Sequence, residues 1–319
     1  MTTGNSAPER RKFDFIDVLS AAKSTGKLTH LLTVALRLKA RYRATGRNEP
    51  LAAGKTLAMI FEKPSLRTRV SFEVAMQHLG GAALYISPAE IGLGTRESVP
   101  DAARVLSGFC DAILARTFAH ATIEQLAQYA SRPVINGLSD HSHPCQAMAD
   151  MMTVQEHFGA LRDLTLAYVG DGNNVARSLM QACAVFGLKF RLAAPEGYHL
   201  NPADVQVVRQ AYADFDFAAD TDPRAAVRHA DVIYTDTWVS MGQEDEKAAR
   251  RPRFASYQVN GDLLAAAPAH AKVMHCLPAY RGAEITDDVM DGPRSIVFEQ
   301  AENRLHFQKG LLAVQIGGQ

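Results

Sequence analysis

An α/β protein of two similar αβα domains, each with a central parallel sheet, is the fold class that the sequence predicts. Short apolar segments alternate with helix-length amphipathic ones along most of the chain, which is the pattern of right-handed βαβ units. A longer helical stretch from His143 to about Gly159 interrupts the alternation once and could bridge two sheets. The 319 residues suffice for two cores of ordinary size.

In order, residues 29–46 have apolar side chains at helical spacing, and Gly46 can end that helix. Residues 56–61 (TLAMIF) read as a strand, followed by a helix that closes at Gly80-Gly81. Strands are predicted at 83–87, 112–116 and 133–138, with helices at 99–109 and 122–130 between them. Beyond the helix that opens at His143, strands are predicted at 164–170, 189–195, 231–236, 272–277 and 295–298. Helices are predicted at 174–187 and at 201–215, the latter capped by Asn201. A last helix, about 300–319, has apolar positions suited to packing back on the first half.

Composition narrows the function. Lys plus Arg (34) equals Asp plus Glu (34), which argues against a surface made to cover nucleic acid. Four cysteines without CxxC spacing, and a polar start (MTTGNSAPERRK) with no apolar leader, read as free thiols in a reducing compartment. No apolar run approaches the ~18 residues of a membrane span. The expectation is a soluble, cytoplasmic protein acting on small molecules.

Open parallel sheets bind ligands at the carboxyl ends of their strands, and the unusual polar residues cluster there. Ser65-Leu66-Arg67-Thr68-Arg69 follows the 56–61 strand at a helix mouth, where free N–H groups, hydroxyls and a guanidinium favour an anion. Arg67 is the expected phosphate ligand and Arg69 a structural residue. Arg116 ends the 112–116 strand in a matching position. His141, His143 and Cys145 alternate in DHSHPCQAMAD, but Pro144 starts a helix and no second pair has metal spacing, so no metal is expected. His143 and Gln146, three apart at the helix start, read as neutral hydrogen-bonding groups. Gly170 and Gly172 hint at a dinucleotide loop, but Val175 stands where a third glycine belongs, which leaves a nicotinamide oxidoreductase as a weak alternative. Asn173 and Asn174 offer amides to a ligand with an amine and a carboxylate. Asp236 ends a strand before Ser240-Met241-Gly242 and, paired with Asn174, could receive an ammonium group. Cys276 and Leu277 end another strand before Pro278, and Arg304 sits on the last helix.

Together these motifs resemble the aspartate/ornithine carbamoyltransferase family over most of the chain, from about Phe61 through Arg304 and in family order. SLRTR is similar to its carbamoyl-phosphate loop and HPCQ to its His-Pro-x-Gln element; DTWVSMG and HCLP point to ornithine rather than aspartate. The resemblance implies transfer of a carbamoyl group from carbamoyl phosphate to the δ-amine of ornithine, without a cofactor. It implies a carbamoyl-phosphate domain over 1–142, an ornithine domain over 143–299, and a homotrimer or a multiple of trimers. Ser65, Leu66, Arg67, Thr68, Arg116, His143, Gln146, Cys276, Leu277 and Arg304 would bind carbamoyl phosphate. Asn174, Asp236, Ser240 and Met241 would bind ornithine. Arg116, His143, Cys276 and Asp236 would act in catalysis, the base for the amine staying open between Cys276 and Asp236. N-acylated ornithine and putrescine are alternative acceptors. Two positions depart from the family: Leu66, where Thr is common, and Gly92, near where relatives carry a Gln or His that reaches the neighbouring subunit's site.

Overall fold

The structure, a computed structural model, describes residues 12–23, 26–239 and 244–319. Strands β1 (Thr56–Phe61), β2 (Ala82–Ile86), β3 (Ala112–Arg116) and β4 (Val134–Leu138) form one sheet in the order β2-β1-β3-β4. Strands β5 (Thr165–Val169), β6 (Lys189–Ala193), β7 (Phe217–Asp220), β8 (Val232–Thr235) and β9 (Lys272–His275) form a second in the order β7-β6-β5-β8-β9. All these pairings are parallel. Helices cover the faces, so β3 and β5 are buried at every residue, which is why they read as mostly apolar runs, with Arg116 at the end of β3 and Thr165 at the start of β5.

Strand order decides where ligands can sit. Each sheet runs one way from its first strand and then the other, so a crevice opens where the connections diverge. In the first sheet that point lies between β1 and β3, and in the second between β5 and β8. The loops after these four strands carry Ser65–Arg67, Arg116–Phe118, Asp171–Asn174 and Asp236–Val239.

Three helices join the halves. The Pro144–Phe158 helix is buried from Pro144 through Val154 and packs against β4, the Asn174–Phe186 helix and the Val297–Gln315 helix. The last of these also packs on the helices Lys27–Thr45 and Leu66–His78, as its apolar pattern predicts. Gly310 lets it approach the 27–45 helix closely, since a Cβ there would lie 2.7 Å from Ala35 Cβ and 2.8 Å from Ala35 Cα.

The element expectations need three corrections. No strand spans 295–298: Ser295 makes an isolated bridge to Val273, and the terminal helix already begins at Val297. A short apolar run cannot separate a strand from the first turn of a buried helix. The helix predicted to reach residue 215 ends at Ala211, and the chain then forms the edge strand β7, exposed beyond Phe217 and thus without an apolar run to mark it. Strand β9 stops at His275, because Leu277 turns away with φ 57°.

Gly310→Ala should lower the unfolding free energy by about 1–3 kcal/mol through this helix contact. Gly108→Ala, in the Val99–Phe109 helix with nothing within 4 Å of the added Cβ, should not destabilise. Urea denaturation of both variants checks the pair.

Candidate active site

The two switch points face one cleft of about 890 Å³ between the sheets. On the first side, Ser65 caps the Leu66–His78 helix, its Oγ accepting from Thr68 N. Thr68 is fully buried, and its Oγ1 accepts from Arg304 Nη2 at 3.0 Å and from Arg116 Nη1 at 3.4 Å. Two guanidinium groups, from a strand end and from the terminal helix, thus meet at one hydroxyl beside the anion-favouring helix mouth. Burial first, then Arg304 and Arg67, pull the Arg116 pKa down to about 9, which leaves it cationic at neutral pH. Arg69 faces elsewhere: its Nε donates to Glu73 and its guanidinium covers the Tyr85 ring. Leu66 is 74% exposed, so its side chain adds nothing polar to the loop.

His143 caps the Pro144–Phe158 helix, its backbone N–H donating to Ser178 Oγ at 2.9 Å. Burial and the positive charge of Arg304, Arg116 and Arg67 hold its pKa well below the usual imidazole value, so the ring is neutral. Among the described residues its Nδ1 has no partner, and neither does Arg304 Nε. Gln146 lies one turn on, its Oε1 accepting from Arg304 Nη1 at 2.8 Å. His141 turns away to stack near His120, and Cys145 Sγ donates to Asn136 O, so the alternating His-His-Cys run does not converge.

On the second side the charge is reversed. Asp236 Oδ1 accepts from Thr237 N at 2.8 Å and from Cys276 Sγ at 3.0 Å, and its Oδ2 from Asn173 Nδ2 at 2.9 Å. Burial, reinforced by Asp236, pushes the Cys276 thiol well above its ordinary pKa, so its proton stays on sulfur. Asn173, not Asn174, is the partner of Asp236, and its Oδ1 also caps the Asn174–Phe186 helix. Asn174 lines the cleft and donates to Ser139 O at 2.7 Å. Leu277 also lines the cleft; Ser240 and Met241 lie outside the described residues.

Asp236, His275 and Cys276 place potential ligand atoms within 4.8 Å of one another. Both His275 nitrogens are engaged, however: Nδ1 accepts from Leu277 N at 2.9 Å, and Nε2, which therefore carries the proton, donates to Glu284 at 3.1 Å. The pair fixes the turn out of β9 rather than offering a metal a free nitrogen. The sequence reading missed Glu284, and it missed Arg250, whose buried guanidinium donates to Asp171, Glu246 and Trp238 O at the rim of the second side. The Arg250–Asp171 pair joins residues 79 apart in the chain, and the acidic and basic cluster around Glu246 and Arg250 hinted only at the local Arg250–Glu246 pair.

The same arrangement of domains is found in known proteins. Residues 15–156 match the carbamoyl-P binding domain of aspartate/ornithine carbamoyltransferases, and residues 162–315 match their Asp/Orn binding domain. The chain belongs to the aspartate/ornithine carbamoyltransferase family. Among its relatives, a protein named ornithine carbamoyltransferase from Pyrococcus horikoshii is 54% identical over 275 residues, 86% of this chain and 87% of that protein. One of the same name from Methanoculleus marisnigri is 50% identical over 307 residues, 96% of this chain and 98% of that protein. The solved ornithine carbamoyltransferase of Pyrococcus furiosus superposes with a TM-score of 0.91 at 49% identity, covering 96% of this chain and 97% of that one. The carbamoyltransferase resemblance and the two-sheet α/β fold read from the sequence therefore hold.

Two predictions follow from the charges in the cleft. Carbon-13 NMR of labelled histidine should find the His143 ring neutral at pH 6, where a free imidazole of pKa about 6.5 is mostly protonated. Because its folded pKa lies below the unfolded one, this residue withdraws stability as pH falls below about 6.5. The Cys276 thiol should react with iodoacetamide far more slowly than a free cysteine. Asp236→Asn, which removes the carboxylate but not the burial, should speed that reaction severalfold by mass spectrometry.

Proposed function

We propose that this chain transfers the carbamoyl group of carbamoyl phosphate to the δ-amine of L-ornithine, releasing L-citrulline and phosphate. The observation that carries the reading is the division of one cleft into a guanidinium end and an Asp236–Cys276 end, each at a switch point of its own sheet. The names of the relatives support the choice of ornithine.

In this reading Ser65, Arg67, Thr68 and the backbone N–H of Leu66 hold the phosphate, and Arg116 bridges phosphate and carbonyl oxygen. Neutral His143 adds a second donor to that oxygen as it gains charge in the transition state. Gln146, the Leu277 carbonyl and Arg304 hold the carbamoyl end. Asn174, Asp236 and the Ser240-Met241 segment take the amino-acid head of ornithine. The attacking amine must be neutral, and deprotonating a lysine-like amine of pKa about 10.4 costs about 5 kcal/mol at pH 7. Cys276, whose thiol donates to Asp236, is a poor base, so Asp236 is the group at this end that takes the proton the amine gives up as its nitrogen bonds to the carbamoyl carbon and the bond to phosphate breaks. The helix mouth and Arg67 stabilise the departing phosphate.

The reading extends to organisation. Residues 1–142 form the donor half and 143–299 the acceptor half, with the terminal helix closing on the first. Leu66, Val70 and Leu84 are large apolar side chains exposed on that half, which supports an assembly surface there; the proposed assembly is a cytoplasmic homotrimer or a multiple of it, as the family resemblance implies. A P. furiosus relative named an anabolic ornithine carbamoyltransferase supports a place in arginine biosynthesis.

Purified protein given carbamoyl phosphate should make citrulline from ornithine and little product from aspartate, putrescine or N-acetylornithine. Absence of citrulline from folded protein would sink the proposal. Arg116→Ala should lower kcat by about 100–1000-fold, the usual effect of losing one transition-state donor. A near-normal rate would remove Arg116 from the mechanism.

A further inference from the structure

Behind the donor end of the cleft lies a polar cluster that does not line it. Asp150 is fully buried on the Pro144–Phe158 helix, one turn beyond Gln146. Its Oδ1 accepts from Gln146 Nε2 and from Gln300 Nε2, both at 2.8 Å, and its Oδ2 accepts from Tyr234 Oη at 3.0 Å. Gln300 uses its whole amide: Nε2 also donates to Tyr234 Oη at 3.1 Å, and Oε1 accepts from His275 N at 2.8 Å. The cluster ties β8, β9 and the terminal helix to the helix carrying His143 and Gln146. Every partner of Asp150 is a donor, the arrangement that favours a carboxylate. Burial opposes it and leaves the Asp150 pKa at about 7.

The consequence falls on Gln146. A side-chain amide fits a pocket of this shape in two orientations that exchange oxygen and nitrogen. With Asp150 on one side and Arg304 Nη1 on the other, one orientation makes two hydrogen bonds. The flipped one would set oxygen against a carboxylate and N–H against a guanidinium, which no buried site tolerates without compensation. The oxygen of Gln146, a residue that lines the cleft, is therefore held on the side of Arg304.

Building on the proposed carbamoyl transfer, we infer that Asp150 is a positioning residue for donor selectivity, holding Gln146 so that it offers an acceptor to the amino group of the carbamoyl donor. Acetyl phosphate carries a methyl group where carbamoyl phosphate carries that amino group, so comparing the two ligands isolates the contact. Inorganic phosphate reports on the phosphate subsite alone.

Calorimetric titration of the unmodified protein with these three ligands comes first. If it does not prefer carbamoyl phosphate to acetyl phosphate, the functional reading itself fails. Asp150→Leu, similar in volume but without an acceptor, should weaken carbamoyl phosphate by about 30-fold, the usual effect of stranding a buried polar partner. Acetyl phosphate and inorganic phosphate should stay within about twofold, a change below the usual effect of losing a hydrogen bond. Asp150→Asn retains an oxygen for Gln146 and should keep most of the selectivity. An unchanged preference in folded Asp150→Leu, or equal loss in both variants, would overturn the inference.

A compensating pair decides the matter should the leucine variant not fold. Gln146→Glu sets two carboxyl groups at hydrogen-bond distance, removes the amide that bridges Asp150 and Arg304, and should weaken carbamoyl-phosphate binding by at least about tenfold. Adding Asp150→Asn supplies an amide donor to Glu at 146 and should restore it by at least about tenfold, a gain of roughly 1.4 kcal/mol. A merely structural Asp150 predicts no restoration, and its absence would refute the coupling.

Discussion

Arg304 sets the donor end of the cleft. It is carried by the last helix, is nearly fully buried, and donates to both Gln146 and Thr68. A guanidinium taken out of water needs such partners, because burial penalises its charge heavily. Thr68 comes from the first half of the chain and Gln146 from the helix between the halves. The terminal helix must therefore dock before the Ser65–Arg67 loop, Arg116 and the His143–Gln146 turn can share one environment. The close approach at Gly310 makes that docking possible.

That concentration of positive charge shapes everything near it. His143 is kept neutral and so serves as a hydrogen-bonding group rather than a second cation. Asp150 is the carboxylate whose charge favours the guanidinium of Arg304, and it stands behind the cleft rather than in it. An anion bound in front would not meet a negative charge. At the other end, Asp236 gathers donors from Asn173, Thr237 and Cys276, and the field reverses within one cavity. A ligand pair of phosphate and amine is matched by this division.

Gly92, expected from the sequence to stand near where relatives carry a Gln or His, is fixed by local geometry. It ends the Pro88–Ile91 helix with φ 53°, and a Cβ there would lie 2.7 Å from Arg96 Cβ. In this chain the position is a tight turn, so a longer side chain would be strained.

Much of this was legible in the chain. Strand–helix alternation announces parallel sheets because strands covered on both faces are mostly apolar, and β1, β3 and β5 carry polar residues only at their ends, at Thr56, Arg116 and Thr165, apart from the Tyr168 hydroxyl. The SLRTR, HPCQ and HCLP segments could be placed at strand and helix ends because anion-binding N–H groups and carbonyls are left over only there. Sequence by itself determined the two-sheet α/β class, the placing of Ser65, Arg67 and Thr68 at a helix mouth after β1, and the family. Tertiary structure alone decided that Asn173 rather than Asn174 holds Asp236, that Asp150 and Gln300 stand behind Gln146, and that His275 pairs with Glu284. Those choices depend on side chains that are 63, 150 and 9 residues apart, or on which neighbour faces inward at a helix start. No periodicity encodes a hydrogen bond between distant elements; only their packing does.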